Sequence, residues 1–273
     1  QTMMRALYTA ASGMRAQQTN VDNISNNIAN VNTTAFKSQK TEFKSLLYQT
    51  IQTRTTSANG EEKPIGAQVG LGTRVASNTT SYTQGALLED ESKSAFAIEG
   101  DGFFQVRGAD GTTYYTRNGN FNWSIGPTGT TLTNTDGYPV LDSNGNTIVL
   151  PNNVNSEKAV VTTDGQVGYY NNAGAYVSMN QTIGLSQFNN PAGLEKAGSN
   201  LLRVTNASGA ALNEAANANL TRSKIHQGYL EGSNVQVADE MVNLIVAQRA
   251  YQLNSKAITT SDDMLEQANN LKR

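Results

Sequence analysis

The chain has no cysteine, which excludes disulfides, thiolate metal sites and cysteine nucleophiles together. A single histidine, His226, excludes a two-histidine metal site and leaves one imidazole for any Ser-His-Asp triad. Its setting, Lys224-Ile225-His226-Gln227-Gly228, has no nucleophile elbow, so a structural imidazole is expected. Charge is scarce as well. Charged residues make up 15 % of the 273, and 20 basic against 22 acidic side chains leave a net charge of -2. A surface that neutralises phosphates needs clustered Lys and Arg, so nucleic acid is not an expected partner. The sequence lacks both the apolar run of about 18 residues that spans a bilayer and the apolar stretch of a secretory signal, so a soluble chain is expected.

Glycine and proline are absent from particular places. Gly13 is the one glycine between residues 1 and 59, no glycine follows Gly232, and all five prolines fall between Pro64 and Pro191. Both ends can therefore be helical, whereas the middle is punctuated by turns. In the N-terminal arm Leu7, Met14, Val21 and Ile28 recur every seven residues, with Met4, Ala11, Ile24 and Val31 three or four positions away. Near the C-terminus Val237, Leu244, Tyr251, Ile258 and Leu265 keep the same interval, thickened by Met241 and Ile245. Each pattern is a heptad seam, interrupted by Gln18 in one helix and by Gln248, Ser255 and Asp262 in the other. A helix with so narrow an apolar stripe needs a partner, and the two termini can supply one to each other.

Residues 76–226 read as β. The dipeptides Asp101-Gly102, Asp110-Gly111, Asn118-Gly119, Asp136-Gly137, Asn144-Gly145 and Asp164-Gly165 suit hairpin turns. Short β-branched or aromatic runs such as Phe96-Ala97-Ile98 and Phe103-Phe104-Gln105-Val106 lie between them. The expected fold is α+β: long terminal α-helices forming a coiled coil plus a central, mostly antiparallel β domain. Its expected parts are 1–44 (the N-terminal coiled-coil helix and a connector), 45–75 (an extended arm), 76–226 (the β domain) and 227–273 (the C-terminal coiled-coil helix). The arm carries Leu46, Leu47, Tyr48 and Ile51 outward, reverses at Asn59-Gly60, and returns through Ile65, Val69 and Leu71.

Two segments imitate chemical motifs. Asp142-Ser143-Asn144-Gly145-Asn146 has the first ligand positions of an EF-hand loop, but Thr147 stands where Gly is needed and Asn153 where a bidentate Glu is needed, so a hairpin turn is expected. Gly70-Leu71-Gly72-Thr73-Arg74-Val75 opens like a dinucleotide loop but lacks its third glycine. No catalytic pair, cofactor loop or metal-ligand set emerges, so no enzyme activity, cofactor or small-molecule substrate is expected.

The segment from Ser25 to Lys37 (Ser-Asn-Asn-Ile-Ala-Asn-Val-Asn-Thr-Thr-Ala-Phe-Lys) resembles the N-terminal signature of the flagellar axial proteins of the rod and hook, with Asn27, Ala29, Asn30, Asn32, Phe36 and Lys37 as its marked positions. Gly232-Ser233-Asn234-Val235, Gln248-Arg249-Ala250-Tyr251, Asn254-Ser255-Lys256 and Asp263-Met264-Leu265 are similar to the matching C-terminal signature. Phe96 to Val106, Tyr115 to Phe121 and Phe188 to Leu194 resemble the central blocks. One departure is Ala35, where the family usually has Gly before Phe-Lys. Within the family the total length, Leu46 to Ile51 and Val69 to Val75 look most like the distal rod subunit.

The resemblance implies a subunit exported by the flagellar type III apparatus without a cleaved signal. It would polymerise in the periplasm into a hollow helical shaft, with proximal rod and hook proteins as axial partners and the P-ring and L-ring as a bushing. The terminal helices would form an inner layer and the β domain an outer one. A proximal rod or short hook protein is the alternative within the family. A secreted β-rich glycan-binding or hydrolytic domain is the alternative from another class.

Overall fold

A computed structural model describes residues 2–52 and 67–271; the expected Asn59-Gly60 turn and Ile65 lie outside the described residues. Cα packing divides the chain into two compact units, the first made of Gln1–Ala29, Gln39–Thr80 and Gln236–Arg273, the second of Asn30–Ser38 and Ser81–Val235.

In the first unit, helices α1 (Thr2–Ala29) and α2 (Val237–Asn270) pack on each other. Asp239 and Glu240 occupy the first turn of α2, where carboxylates complement the helix dipole. Asn27 near the end of α1 meets Glu240 at the start of α2, and Gly13 lies against Asn254, so the helices run antiparallel. Between them in sequence stands a ribbon: β1 (Gln39–Ser45) pairs with β4 (Thr73–Thr80), and β2 (Tyr48–Gln52) with β3 (Ala67–Gly70), all antiparallel. Leu46 N–H donates to Gly72 O at 2.8 Å and Leu71 N–H to Leu47 O at 3.2 Å, which makes the two pairs continuous. Among the described residues the pairing thus covers 39–52 and 67–80, extending to either side of the expected 45–75.

Asn27 joins ribbon to helix. Its amide Nδ2 donates to Gln39 O at 2.8 Å while its Oδ1 accepts from Gln39 N–H at 2.9 Å, the pairing another strand would make. Asn23 adds a bond from Nδ2 to Thr41 Oγ1 at 2.5 Å.

The second unit begins with β5 (Leu87–Glu89), β6 (Phe96–Glu99), β7 (Phe103–Arg107), β8 (Thr113–Thr116), β9 (Phe121–Gly126), β10 (Gly129–Asn134) and β11 (Val149–Leu150). It continues through β12 (Ala159–Val161), β13 (Gln166–Tyr170), β14 (Tyr176–Thr182), β15 (Leu185–Gln187), β16 (Glu195–Gly198) and β17 (Leu201–Arg203). β18 (Leu212–Asn213), β19 (Lys224–Gln227) and β20 (Tyr229–Glu231) complete it. The main sheet runs β16-β17-β8-β7-β15-β18, with three-stranded sheets β11-β10-β9 and β12-β13-β14 and the pairs β19-β6 and β20-β5. Every strand pair among the described residues is antiparallel. Phe96, Ile98, Phe104, Val106, Phe121 and Leu132 are enclosed in the main core, where the Phe104 and Phe121 rings meet edge to face at 5.0 Å. A second cluster gathers Phe103, Tyr115 and Phe188.

The turn dipeptides divide by physical cause. Gly111, Gly137, Gly145 and Gly165 have positive φ, as hairpin turns require. Gly119 instead permits a close approach, since a Cβ there would sit 1.6 Å from Phe96 O. The EF-hand imitation is a turn in which Asp142 Oδ1 accepts from Asn144 N–H and Asn146 N–H, both at 2.8 Å. His226 Nε2 lies 2.8 Å from Glu99 Oε2 with its ring edge-on to Tyr229, a partly exposed structural imidazole. Gly119→Ala is expected to destabilise the second unit by about 3 kcal/mol or more, because the obstructing atom is backbone. Urea titration followed by the fluorescence of Trp123, in the strand after Gly119, checks this.

Candidate functional site

The helical pair presents the first candidate surface. On α2, Leu244, Ala247, Asn254, Ile258, Ser261 and Leu265 are covered to varying degrees, a 4-3 row along one face. Val242, Ile245, Val246 and Leu253 lie on the opposite side at spacings of three, four and seven and are all exposed, Val246 at 61 % and Leu253 at 69 %. The helix is therefore apolar on two faces, one of them open. On α1, Leu7, Met14, Val21 and Ile28 are half-buried, while Met4 and Tyr8 are exposed. Val237 and Tyr251, expected in the seam, are each 40 % exposed. Their place is taken by a row of small and polar residues that a count of hydrophobic side chains passes over.

The ribbon is also open. Leu46 is half-buried, whereas Leu47, Tyr48, Val69 and Leu71 are exposed, Leu47 at 84 %. Ile51 lies in β2. Of the marked signature positions, Asn27 is buried, Ala29 and Asn32 are exposed, and the Asn30 side-chain oxygen accepts from Thr33 Oγ1 at 3.1 Å. Gln248 and Arg249 are exposed and Ala250 is half-buried. Lys196 Nζ stands 5.8 Å from the centre of the Phe36 ring.

The second unit contains the strongest electrostatic feature. Glu231, at the end of β20, has a side chain with no solvent exposure. Oε1 accepts from Lys37 Nζ at 2.6 Å and from Gly85 N–H at 3.0 Å, and Oε2 accepts from Arg117 Nε at 2.9 Å. Arg117 Nη1 donates to Gly100 O and Gly102 O, both at 2.6 Å, and Lys37 donates to Thr83 O at 2.8 Å. Ala35 N–H donates to Glu231 O at 2.8 Å. Burial pushes the Glu231 carboxyl up, but the Arg117 guanidinium and then the Lys37 ammonium outweigh it, holding the group below its ordinary 4.5. Burial pulls the Lys37 ammonium below its ordinary 10.5, against the upward pull of Glu231. Asn234 closes the same region: Oδ1 accepts from Ser38 N–H at 2.8 Å, and Nδ2 donates to Ser81 O at 2.9 Å and to Thr83 Oγ1 at 2.9 Å.

Sequence reasoning singled out Lys37 but neither Arg117 nor Glu231 as a site residue. The available signal was a charge placed between Leu230 and Gly232 in a chain with few charges. The cluster orders the backbone and offers no reactive chemistry, because each charged atom is committed to a partner. Among the described residues no group of His, Cys, Asp or Glu could hold a metal ion.

Two predictions follow from this geometry. Glu231→Gln leaves Lys37 and Arg117 buried without an anion and should cost about 3–5 kcal/mol. In the parent, the contribution of Glu231 is present above pH 4.5 and is lost as the pH falls through the lower folded value; thermal melts from pH 6 to 2 should show the parent converging on the variant. At Ala35, φ is +57° and the methyl is buried. Glycine would relieve the backbone but give up a buried methyl worth about 0.8 kcal/mol. Ala35→Gly should therefore lie within about 0.5 kcal/mol of the parent, and Ala35→Val should lose about 2 kcal/mol, both read by urea denaturation.

Comparison with known proteins places these features in a family. Three family models match: flagella basal body rod protein over residues 7–37, flagellar hook protein FlgE/F/G D1 domain over 97–169, and flagellar basal body rod FlgEFG protein C-terminal over 226–271. Lys37, Arg117 and Glu231 fall one in each. The flagellar basal-body rod protein FlgG of Borreliella burgdorferi is 44 % identical over 273 residues, covering 99 % of this chain and 100 % of that protein. FlgG of Agrobacterium fabrum is 42 % identical, covering 96 % of this chain and 97 % of that protein, and FlgG of Bacillus subtilis is 40 % identical, covering 99 % and 100 %. With near-full-length relatives at this identity and matched models at both ends and in the centre, the chain belongs to the flagellar basal-body rod protein family.

Proposed function

We propose that the chain is a structural subunit of the distal rod, self-assembling into a hollow, rigid helical shaft that transmits motor torque to the hook. The observation that carries this reading is the two-faced apolarity of α2. One face is covered within the chain, and the other, through Val242, Ile245, Val246 and Leu253, is left for neighbours. Burying such side chains is worth about 1.5–3 kcal/mol each, so a few per subunit repeated along a fibre supply a large cooperative gain. The paired termini act as a coiled-coil inner layer and residues 81–235 as an outer one. The role is mechanical rather than catalytic.

The ribbon is the arm of this reading. Leu47, Tyr48, Val69 and Leu71 reach a neighbouring subunit and oppose the axial sliding that lets a tube bend. The finer partners are proximal rod proteins and the hook protein along the axis, the P-ring and L-ring around it, and the type III export apparatus that delivers the subunit, with the rod spanning the periplasm.

Electron microscopy of the concentrated protein tests the reading. The parent should form straight tubes. Val242→Asp combined with Val246→Asp should abolish them while leaving the circular dichroism of the single chain unchanged, because the substitutions lie on the open face. Leu244→Asp should both abolish tubes and lower helix content, since it places an unpaired carboxylate in the covered seam. Tubes from both variants would remove the helices from assembly. Deleting Gln52 to Gln68 should preserve polymerisation but give curved or flexible fibres; equally straight fibres would move rigidity elsewhere.

A further inference from the structure

A heptad seam has a weakness that the structure answers. Because Leu7, Met14, Val21 and Ile28 recur every seven residues, as do Leu244, Tyr251, Ile258 and Leu265, sliding α2 by one heptad along α1 keeps most apolar overlap. Something that does not repeat must choose the register.

Two contacts do not repeat. Gly13 faces Asn254, so closely that a Cβ on residue 13 would lie 2.8 Å from Asn254 Nδ2. Asn27 faces Glu240, its Nδ2 donating to Glu240 Oε1 at 3.1 Å. In each pair the two residue numbers sum to the same value, as an antiparallel pair in one register demands. The contacts are separated by two heptads on both helices, about 21 Å at 1.5 Å per residue. Ala10 and Ala257, which obey the same sum, line one cavity of about 460 Å³ with Arg5 and Asn254.

A slip by one heptad breaks both contacts. Moved one way, Asn254 meets Ala6 and Gly13 meets Ala247; moved the other way, Asn254 meets Asn20 and Asn27 meets Ala247. Either residue seven away from Gly13 carries a Cβ where the Asn254 amide needs room. Asn27 is almost fully buried, and a slip would take away its Glu240 acceptor at the cost of a buried polar group. The arrangement also accounts for the lone glycine of the N-terminal arm, which otherwise weakens a helix by about 0.5–1 kcal/mol relative to alanine.

We infer that Gly13–Asn254 and Asn27–Glu240 are the register-determining contacts of the terminal helix pair, a notch and a polar clasp two heptads apart that select one alignment among near-equivalent apolar ones. The inference concerns the single chain and goes beyond the assembly reading. Its test therefore needs no polymer.

The absence of native cysteine makes the test clean. One full-length protein carries Ala10→Cys with Ala257→Cys, matched to the observed register; a second carries Ala10→Cys with Ala250→Cys, matched to a one-heptad slip. Each is oxidised at a concentration where it is monomeric, and intrachain disulfide is read as a faster band on a non-reducing gel. The matched pair should close at least about tenfold faster than the slipped pair, because a heptad moves the partner by about 10 Å. Adding Gly13→Leu to the matched protein should reduce closure by about fivefold or more, and adding Asn254→Ala to that protein should restore it by reopening space. Equal closure of matched and slipped pairs in the unaltered background, or closure indifferent to Gly13→Leu, would overturn the inference.

Discussion

A carboxylate sealed from water must find positive charge inside the protein, and for Glu231 that charge comes from two distant parts of the chain. Lys37 lies 194 residues away and Arg117 114 residues away. Removing either cation would strip one Glu231 oxygen of its charged donor, and Gly85, Thr83, Gly100 and Gly102 are drawn in through their backbone atoms. The segment after α1, the central sheets and the strand before α2 thus share one electrostatic centre. The three family models each contribute one of its charges, and all three charged residues belong to the second unit.

The first unit is organised differently. Its helices bury only one face of α2, and its ribbon is only two strands wide with exposed apolar side chains, an element that is marginal by itself. Asn27 is the common point: its amide completes the start of β1 and reaches the first turn of α2. Uncovered apolar surface on helix and ribbon alike suits the self-assembling rod subunit proposed above, whereas the second unit encloses an aromatic core of its own.

Local patterns were legible in the sequence and distant pairings were not. The scarcity of Gly and Pro at the ends marks both helices because helix formation is governed by neighbours three and four residues apart. Asp-Gly and Asn-Gly dipeptides mark the β region for the same reason, although Gly119 is there for Phe96 O rather than for a turn. The start of the ribbon at Gln39 is hidden because Gln39 to Ser45 is nearly all polar and shows no alternation. Tyr251 counted as a seam residue by its spacing, whereas Ala247, Asn254 and Ser261, too small or polar to register as hydrophobic, complete the covered row. Ala35 stood out as a departure from the family, but only its φ of +57° and its bond to Glu231 O show that the left-handed turn is kept without glycine. The pairing of Glu231 with Lys37 and Arg117 depends on the completed fold, and no local pattern encodes it.

Native-state hydrogen exchange of the single chain tests the central role of Glu231 most directly. From outside the main sheets Gly85 donates its amide to the Glu231 carboxylate and Ala35 to the Glu231 main-chain oxygen, so if the ion cluster anchors this part of the chain to the core, both amides exchange only when the second unit unfolds as a whole. The account predicts protection for Ala35 and Gly85 equal to that of Phe104 and Val106, and a matching fall for all four in the Glu231→Gln protein. Exchange at Ala35 and Gly85 that is orders of magnitude faster than in the core strands of the parent would contradict it.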